Sequence, residues 1–189
     1  MTVKMNKAKE HALIVGGTSG IGLGTFDHLV LALGSTHGAG PLDTVDPDDV
    51  RLGFEEKVFA HFLCAQAALP HLRPHGSLTL VSAVTAFAAA PGTSGIGSAN
   101  AAVAALVPIW AAELKPLRVN GVAPGVVDTP WWNFLPDEPR QAYFADTAAK
   151  TPVGRVGRAA DIADAIAFLV HNTFMTGHNL VCDGGYRFA

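Results

Sequence analysis

Residues His11–Gly22 read HALIVGGTSGIG, a short apolar run that stops at a glycine pair. Ala12–Val15 has the length and composition of a strand buried on both faces. A glycine-rich turn directly after such a strand, opening a helix, suits an anion. Gly16 makes the tight turn, Gly20 lets the backbone approach a pyrophosphate with no Cβ in the way, and Gly22 lets the helix pack closely on the strand. The free N–H groups of the first helical turn then face the phosphate. Gly16, Thr18, Ser19, Gly20, Ile21 and Gly22 are therefore the expected phosphate contacts. The string TSGIG recurs at Thr93–Gly97, but there it follows AAAPG and no strand.

The same alternation continues along the chain. Asp27–Leu33, Ser77–Ser82, Arg118–Ala123 and Asn179–Cys182 read as further short buried strands. Helical patterns separate them over Asp46–Leu72, Ser98–Leu114 and Ala160–His171, the first with Val50, Phe54, Val58, Phe62 and Ala65 at helical spacing. Strands alternating with helices predict an α/β fold: a Rossmann-like, doubly wound parallel sheet in three α/β/α layers, one domain over residues 1–189. One place does not fit. A parallel crossover needs about a dozen residues, and only LGTF separates Gly22 from Asp27. Either strands have been deleted from the sheet, or a disordered segment is skipped near Leu23–Phe26. The second is favoured because the remaining pattern is intact, and it requires a Cα–Cα step well beyond about 3.8 Å within Gly22–Asp27.

Composition narrows the classes. The chain has 189 residues, 49% of them hydrophobic, which is enough for one sizeable core. With a net charge of −3 and no basic stripe, it carries no footprint for nucleic acid. The start, MTVKMNKAKEH, has no apolar leader core, and the apolar stretch Ala101–Leu114 is interrupted by Pro108 and closed by Glu113, so no membrane span is expected. Only two cysteines, Cys64 and Cys182, point to a reducing cytoplasm. His71 and His75 make no metal site, since Pro74 breaks the helix that would align them; no metal is expected. Neither Ser19 nor Ser94 sits in a G-x-S-x-G turn of the serine-hydrolase kind.

Gly16-x3-Gly20-x-Gly22 resembles the glycine pattern of the short-chain dehydrogenase/reductase family, and the likeness runs along nearly the whole chain. LVLALG (Leu29–Gly34) stands where that family ends a strand in Asn-Asn-Ala-Gly, with only Gly34 retained. ALPHL (Ala68–Leu72), RVNGVAPGVVDTP (Arg118–Pro130), PVGRVGRAADIADAIAFL (Pro152–Leu169) and TGHNLVCDGG (Thr176–Gly185) are similar to later family segments. The resemblance implies a nicotinamide dinucleotide, NAD or NADP, with Gly34, Pro124, Gly125, Val127 and Thr129 along its course. The residues that would choose between the two fall in the short Gly22–Asp27 stretch. If a segment is missing there, a structure of this chain is expected to hold no dinucleotide. The resemblance also implies a homo-dimer or homo-tetramer through the apolar Ser98–Leu114 helix, and a small alcohol or carbonyl as substrate.

The family's acid–base group is a strand-end Ser, a Tyr-x-x-x-Lys on the next helix and an Asn on the preceding one. In this chain the Tyr position is Ile96 and the Lys position Asn100. The Ser position falls on Ala83, with Ser82 one step before, and Lys57 stands at the Asn position. The Lys and Asn look exchanged, so Lys57 reaches the same cavity or simply extends its amine to solvent. Tyr143, in the segment that forms a lid in the family, and His37, just beyond Gly34, are the other titratable candidates near the site. Asp128 and Trp131–Trp132 are expected to line or close the substrate space. The leading expectation is an NAD(P)-dependent oxidoreductase moving hydride between nicotinamide and a small alcohol or carbonyl. The alternatives are a dinucleotide-binding sensor or structural subunit that has lost the acid–base group, and an enzyme of the same fold whose reaction needs no phenol.

Overall fold

The computed structural model describes residues 4–5, 10–15 and 25–189. All five expected strands form: β2 (Glu10–Val15), β3 (Phe26–Leu31), β4 (Leu72–Val81), β5 (Arg118–Pro124) and β8 (Asn179–Cys182). They lie parallel in that order, and a two-residue β1 (Lys4–Met5) runs antiparallel along the β2 edge. A separate short ladder joins β6 (Val127–Asp128) to β7 (Gly157–Arg158).

Two layers of helix cover the sheet, and the alternation of β5 shows which covers which face. Successive strand residues point to opposite sides. A Cβ at Gly121 would stand 3.0 Å from Val107 of α3 (Ser94–Glu113). Arg118, three residues earlier, sends its guanidinium to the carbonyls of Leu169 and Val170 at the end of α5 (Ala159–His171) and of Asn172 and Met175 beyond it. So α3 and α5 lie on opposite faces, which makes the three-layer, Rossmann-like sandwich expected from the strand–helix alternation. Beside α3 packs the helical run α1 (Pro47–Phe54), a π-turn (Glu55–Phe59) and α2 (Ala60–Ala68). The main core fills this layer: Leu29, Leu31, Leu78, Leu80 and Val119 from the sheet meet Ala65, Ala68, Val103, Val107 and Trp110. Each fully buried leucine there contributes roughly 1.5–3 kcal/mol.

Helix α3 is long and apolar enough to span a membrane by composition alone, yet Val103, Val107 and Trp110 bury its inner side on the sheet. It is a core helix, and it runs on through Pro108, where an interruption was expected. It begins at Ser94, four residues before the expected Ser98. The second TSGIG is therefore the first turn of a helix rather than the loop before one. Its glycines serve contact: a Cβ on Gly95 would strike the carbonyl of Gly38, and one on Gly97 would crowd the carbonyl of Thr85. A further helix, α4 (Asp137–Lys150), fills the region after the β6 strand.

Residues 16–24, which hold the first TSGIG and most of the suspected break, lie outside the described residues. Strands β2 and β3 are direct parallel neighbours, with Ala12 opposite His28 and Val15 opposite Leu31. Among the described residues the strand order proceeds one way only, from β2 to β8; the reversal that completes a double winding is not among them.

Candidate functional site

In an open α/β sheet the ligand crevice lies outside the carboxyl ends of the strands. Here those ends present Gly34 just past β3, Val81–Ser82 at the end of β4, and Pro124–Gly125 at the end of β5. Gly34 is exposed, and a Cβ on it would stand 3.6 Å from the Trp131 indole. Gly125 donates its N–H to the Cys182 carbonyl, and a Cβ there would strike the Asp183 backbone, which keeps the Pro-Gly corner tight.

Lys57 occupies the centre of this rim. It belongs to the π-turn Glu55–Phe59, one of the helix irregularities that recur at functional sites. Its side chain does not reach for solvent: the residue is only 7% exposed. The ammonium donates to the Leu33 carbonyl at 2.7 Å and the Val81 carbonyl at 3.0 Å, bridging the ends of β3 and β4. Among the described residues no carboxylate pairs with it. Burial without a counter-charge lowers its pKa to about 8. An ammonium has three donors, so one N–H remains for another partner.

One turn on, fully buried His61 holds Nδ1 at 2.6 Å from the Lys57 carbonyl and Nε2 at 3.2 Å from the Leu31 carbonyl. Burial, helped by the Lys57 charge, pushes its pKa down to about 4. The neutral ring has one N–H to give to these two carbonyls.

Asn100 is buried on α3. Its amide nitrogen donates to the Ile96 carbonyl at 2.9 Å and to Thr85 Oγ1 at 3.1 Å. Its Oδ1 is buried with no hydrogen-bond partner among the described residues. Lys57 and Asn100 are thus both buried, but no hydrogen bond joins them directly. Ile96 is half-buried, with its N–H given to the Gly38 carbonyl at 2.8 Å. Ser82 is buried and turns its hydroxyl to the Val122 carbonyl at 3.5 Å.

Val127 and Thr129 lead into a 3-10 turn, Pro130–Phe134, whose tryptophans build an aromatic cluster. Trp132 donates its indole N–H to the Val127 carbonyl, and its ring meets Trp131, Tyr143 and Phe144 at 4.7, 5.0 and 5.7 Å. Tyr143 is a packing member of this cluster, and burial raises its phenol pKa. Beside the first turns of α3 opens a shallow depression of ≈ 460 Å³, walled by Ala88, Ala90, Pro91, Ser94, Gly97 and Ala101.

A second polar group lies at the rim. His37 Nδ1 is 2.6 Å from Asp49 Oδ1, Asp49 Oδ2 accepts the Gly38 N–H at 2.6 Å, and Ser35 Oγ donates to Glu56. The hydrogen bond to Asp49 raises the His37 pKa. The sequence marked His37 but gave no sign of Asp49, twelve residues on in a different element. Among the described residues no three ligating side chains gather to hold a metal.

The family model described as Enoyl-(Acyl carrier protein) reductase matches residues 15–187. Over 169 residues the chain is 35% identical to the cis-4-hydroxycyclohexanecarboxylate dehydrogenase of Sinomonas cyclohexanicum, covering 86% of this chain and 66% of that protein. Over 171 residues it is 32% identical to the 2-(R)-hydroxypropyl-CoM dehydrogenase of Xanthobacter autotrophicus, covering 86% and 68%. A small-chain dehydrogenase solved in complex with NADPH superposes with a TM-score of 0.85 at 34% identity, over 88% of this chain and 76% of that one. The chain spans between about half and two thirds of the length of the first curated relatives it matches. From the parallel sheet, the rim at its carboxyl ends and these matches, the chain belongs to the short-chain dehydrogenase/reductase family.

Proposed function

We propose that this protein is an NAD(P)-dependent oxidoreductase that interconverts a small alcohol and its carbonyl compound at the carboxyl rim of the sheet. The observation that supports this reading is Lys57: a buried amine held by two strand-end carbonyls, with a third donor left, at the carboxyl rim where open α/β sheets generally bind ligands.

The described residues fit the nicotinamide half of the cofactor. Gly34, exposed at the rim, puts no side chain against Trp131, and Gly125 and Thr129 carry the chain past the end of β5. The orphaned Asn100 Oδ1 is an acceptor that suits a ribose hydroxyl. Gly16, Thr18, Ser19, Gly20, Ile21 and Gly22 would hold the pyrophosphate, and they lie outside the described residues. When bound, the dinucleotide supplies or accepts hydride. The chain's own part is to orient the reacting carbonyl, place a positive charge near its oxygen and exclude water. Lys57 supplies the charge, Ser82 and Asn100 the neighbouring polar groups, and Ile96 an apolar wall where the family carries a phenol. Its likeness to a cis-4-hydroxycyclohexanecarboxylate dehydrogenase and to a cyclopentanol dehydrogenase supports a small alicyclic alcohol as the substrate class.

Two observations favour a second reading, a dinucleotide-binding subunit without turnover. Ile96 bears no titratable proton. Only residues 16–25 connect the parallel neighbours β2 and β3, fewer than a helical crossover uses. That shortness supports the inference that a segment present in the relatives is absent between Gly22 and Asp27. Phe59, Leu63 and Ile109, exposed on the helices of the α3 layer, support assembly as a homo-dimer or homo-tetramer. Two free cysteines fit a reducing cytoplasm. Fluorescence titration with NADH and NADPH, followed by a carbonyl screen, tests the proposal. Binding with turnover is the expected result; binding without turnover selects the second reading, and no binding of either overturns both.

A further inference from the structure

The geometry points to His37, oriented by Asp49, as the group that exchanges the substrate's proton in place of the phenol missing at Ile96. The inference rests on the oxidoreductase reading above. Its first support is position. The loop that carries His37 leaves β3 at the rim and is pinned to the phenol's former site: the Gly38 carbonyl accepts the Ile96 N–H at 2.8 Å. The loop is clamped there by close approaches on both sides. A Cβ on Gly53 of α1 would strike the His37 carbonyl at 2.8 Å, and one on Gly95 of α3 would strike the Gly38 carbonyl. Gly38 itself adopts φ 81°, a conformation that glycine enters without strain.

The second support is orientation. One carboxylate, Asp49, accepts from the His37 ring at Nδ1 and from the Gly38 backbone N–H, so ring and loop are fixed together. Ser35 Oγ accepts the His37 backbone N–H at 3.0 Å and donates to Glu56 at 2.9 Å. The charged and titratable groups facing His37 are Asp49 from α1 and Glu56 from the π-turn, with Glu56 Oε1 3.9 Å from Nε2. From α3 the residues at this loop are Gly95 and Ile96, which do not titrate. Among the described residues Nε2 makes no hydrogen bond, while Nδ1 is held in the manner of a base oriented by a third group.

The third support is protonic. His37 and Asp49 are about one third exposed, so protons exchange freely with water. Lys57, sealed beneath and held by two carbonyls, is badly placed for that exchange. In the reduction, the carbonyl carbon receives hydride from a reduced nicotinamide as its C–O π bond opens. The developing alkoxide takes the proton from imidazolium Nε2, forming O–H and leaving neutral imidazole, which is reprotonated from solvent. Oxidation of the alcohol runs the same transfers backwards.

The decisive probe is cyclohexanone, with nitrogen-15 NMR of the imidazoles and with NADPH or NADH turnover. Addition of cyclohexanone to the protonated protein is expected to shift the His37 Nε2 resonance while Nδ1 stays protonated. An unmoved Nε2 overturns the proposal even where the protein reduces nothing, so this arm fails separately from the oxidoreductase reading. In turnover, H37Q is expected to lower kcat by roughly 10²–10⁴-fold, with KM and dinucleotide Kd unchanged. Added imidazole is expected to restore part of the kcat of H37G. D49N is expected to move the alkaline limb of the carbonyl-reduction profile to lower pH, because the carboxylate that raises the His37 pKa is gone. A full kcat in H37Q, or a profile unmoved by D49N, contradicts the assignment.

Discussion

Two basic side chains flank the end of β3, and they are opposite in kind. Lys57 is sealed, has no carboxylate partner among the described residues, and spends two of its protons on backbone carbonyls. His37 is open and sits between two carboxylates, and its Nε2, 3.9 Å from Glu56, makes no hydrogen bond among the described residues. Burial turns the first into a source of fixed field whose ionisation is itself suppressed. The hydrogen bond to Asp49 raises the pKa of the second, and its exposure leaves it open to proton exchange with water. In the family one helix carries both phenol and lysine; on the reading proposed here, field and proton transfer fall to residues on different elements.

The largest test of that contrast is the pH dependence of stability. Lys57 has a folded pKa of about 8 against about 10.5 when unfolded. Between those values the unfolded chain holds the extra proton, so the folded state gains stability as pH rises through the window. Wild type is expected to gain roughly 3 kcal/mol on K57M across it, read from urea denaturation at stepped pH. H37Q is expected to leave that slope untouched. A K57M slope equal to wild type contradicts burial of the amine.

His61 sharpens the same comparison on the acid side. Its folded pKa of about 4 lies below the unfolded value, so stability is lost as pH falls from the ordinary histidine range towards 4. The full loss is roughly 3 kcal/mol. Urea denaturation of H61F over this range is expected to show a shallower acid loss than wild type. The smallest expected effect is T85V, which removes one acceptor from Asn100. It is expected to cost about 1 kcal/mol and to weaken dinucleotide binding, measured by fluorescence, while the same change in the exposed Ser98 does neither.

Much of the sheet was legible because its central strands β3, β4 and β5 are buried on both faces over most of their length and read as apolar runs, whereas β2 and β8 are mostly half-buried. Leu78, Leu80, Val119 and Val122 are all fully buried, and their runs are where strands were expected. The start of α3 was not legible. Two glycines in Ser94–Gly97 look like a loop, yet the Gly38 carbonyl and the Thr85 carbonyl leave no room for a Cβ there. Helix α4 was missed for the opposite reason: only Phe144 and Thr147 of its fourteen residues are buried, so little apolar period marks it. The two-residue strands β6 and β7 are too short for any pattern. At the site, Lys57 continues the inward spacing of Val50 and Phe54, but a lysine's burial depends on carbonyls from β3 and β4 that sequence spacing does not reveal. The Asp49–His37 contact is tertiary in the same sense, made by a helix folding back on a strand-end loop.

The central claim is that this rim handles a nicotinamide and a small carbonyl with Lys57 as its buried charge. The most direct measurement is the loss of reduced-nicotinamide absorbance on adding cyclohexanone, for wild type and K57M side by side. The account predicts turnover in wild type with NADH or NADPH and a large loss in K57M at unchanged fold by circular dichroism. Equal turnover in the two proteins, or none in wild type with either dinucleotide, contradicts it.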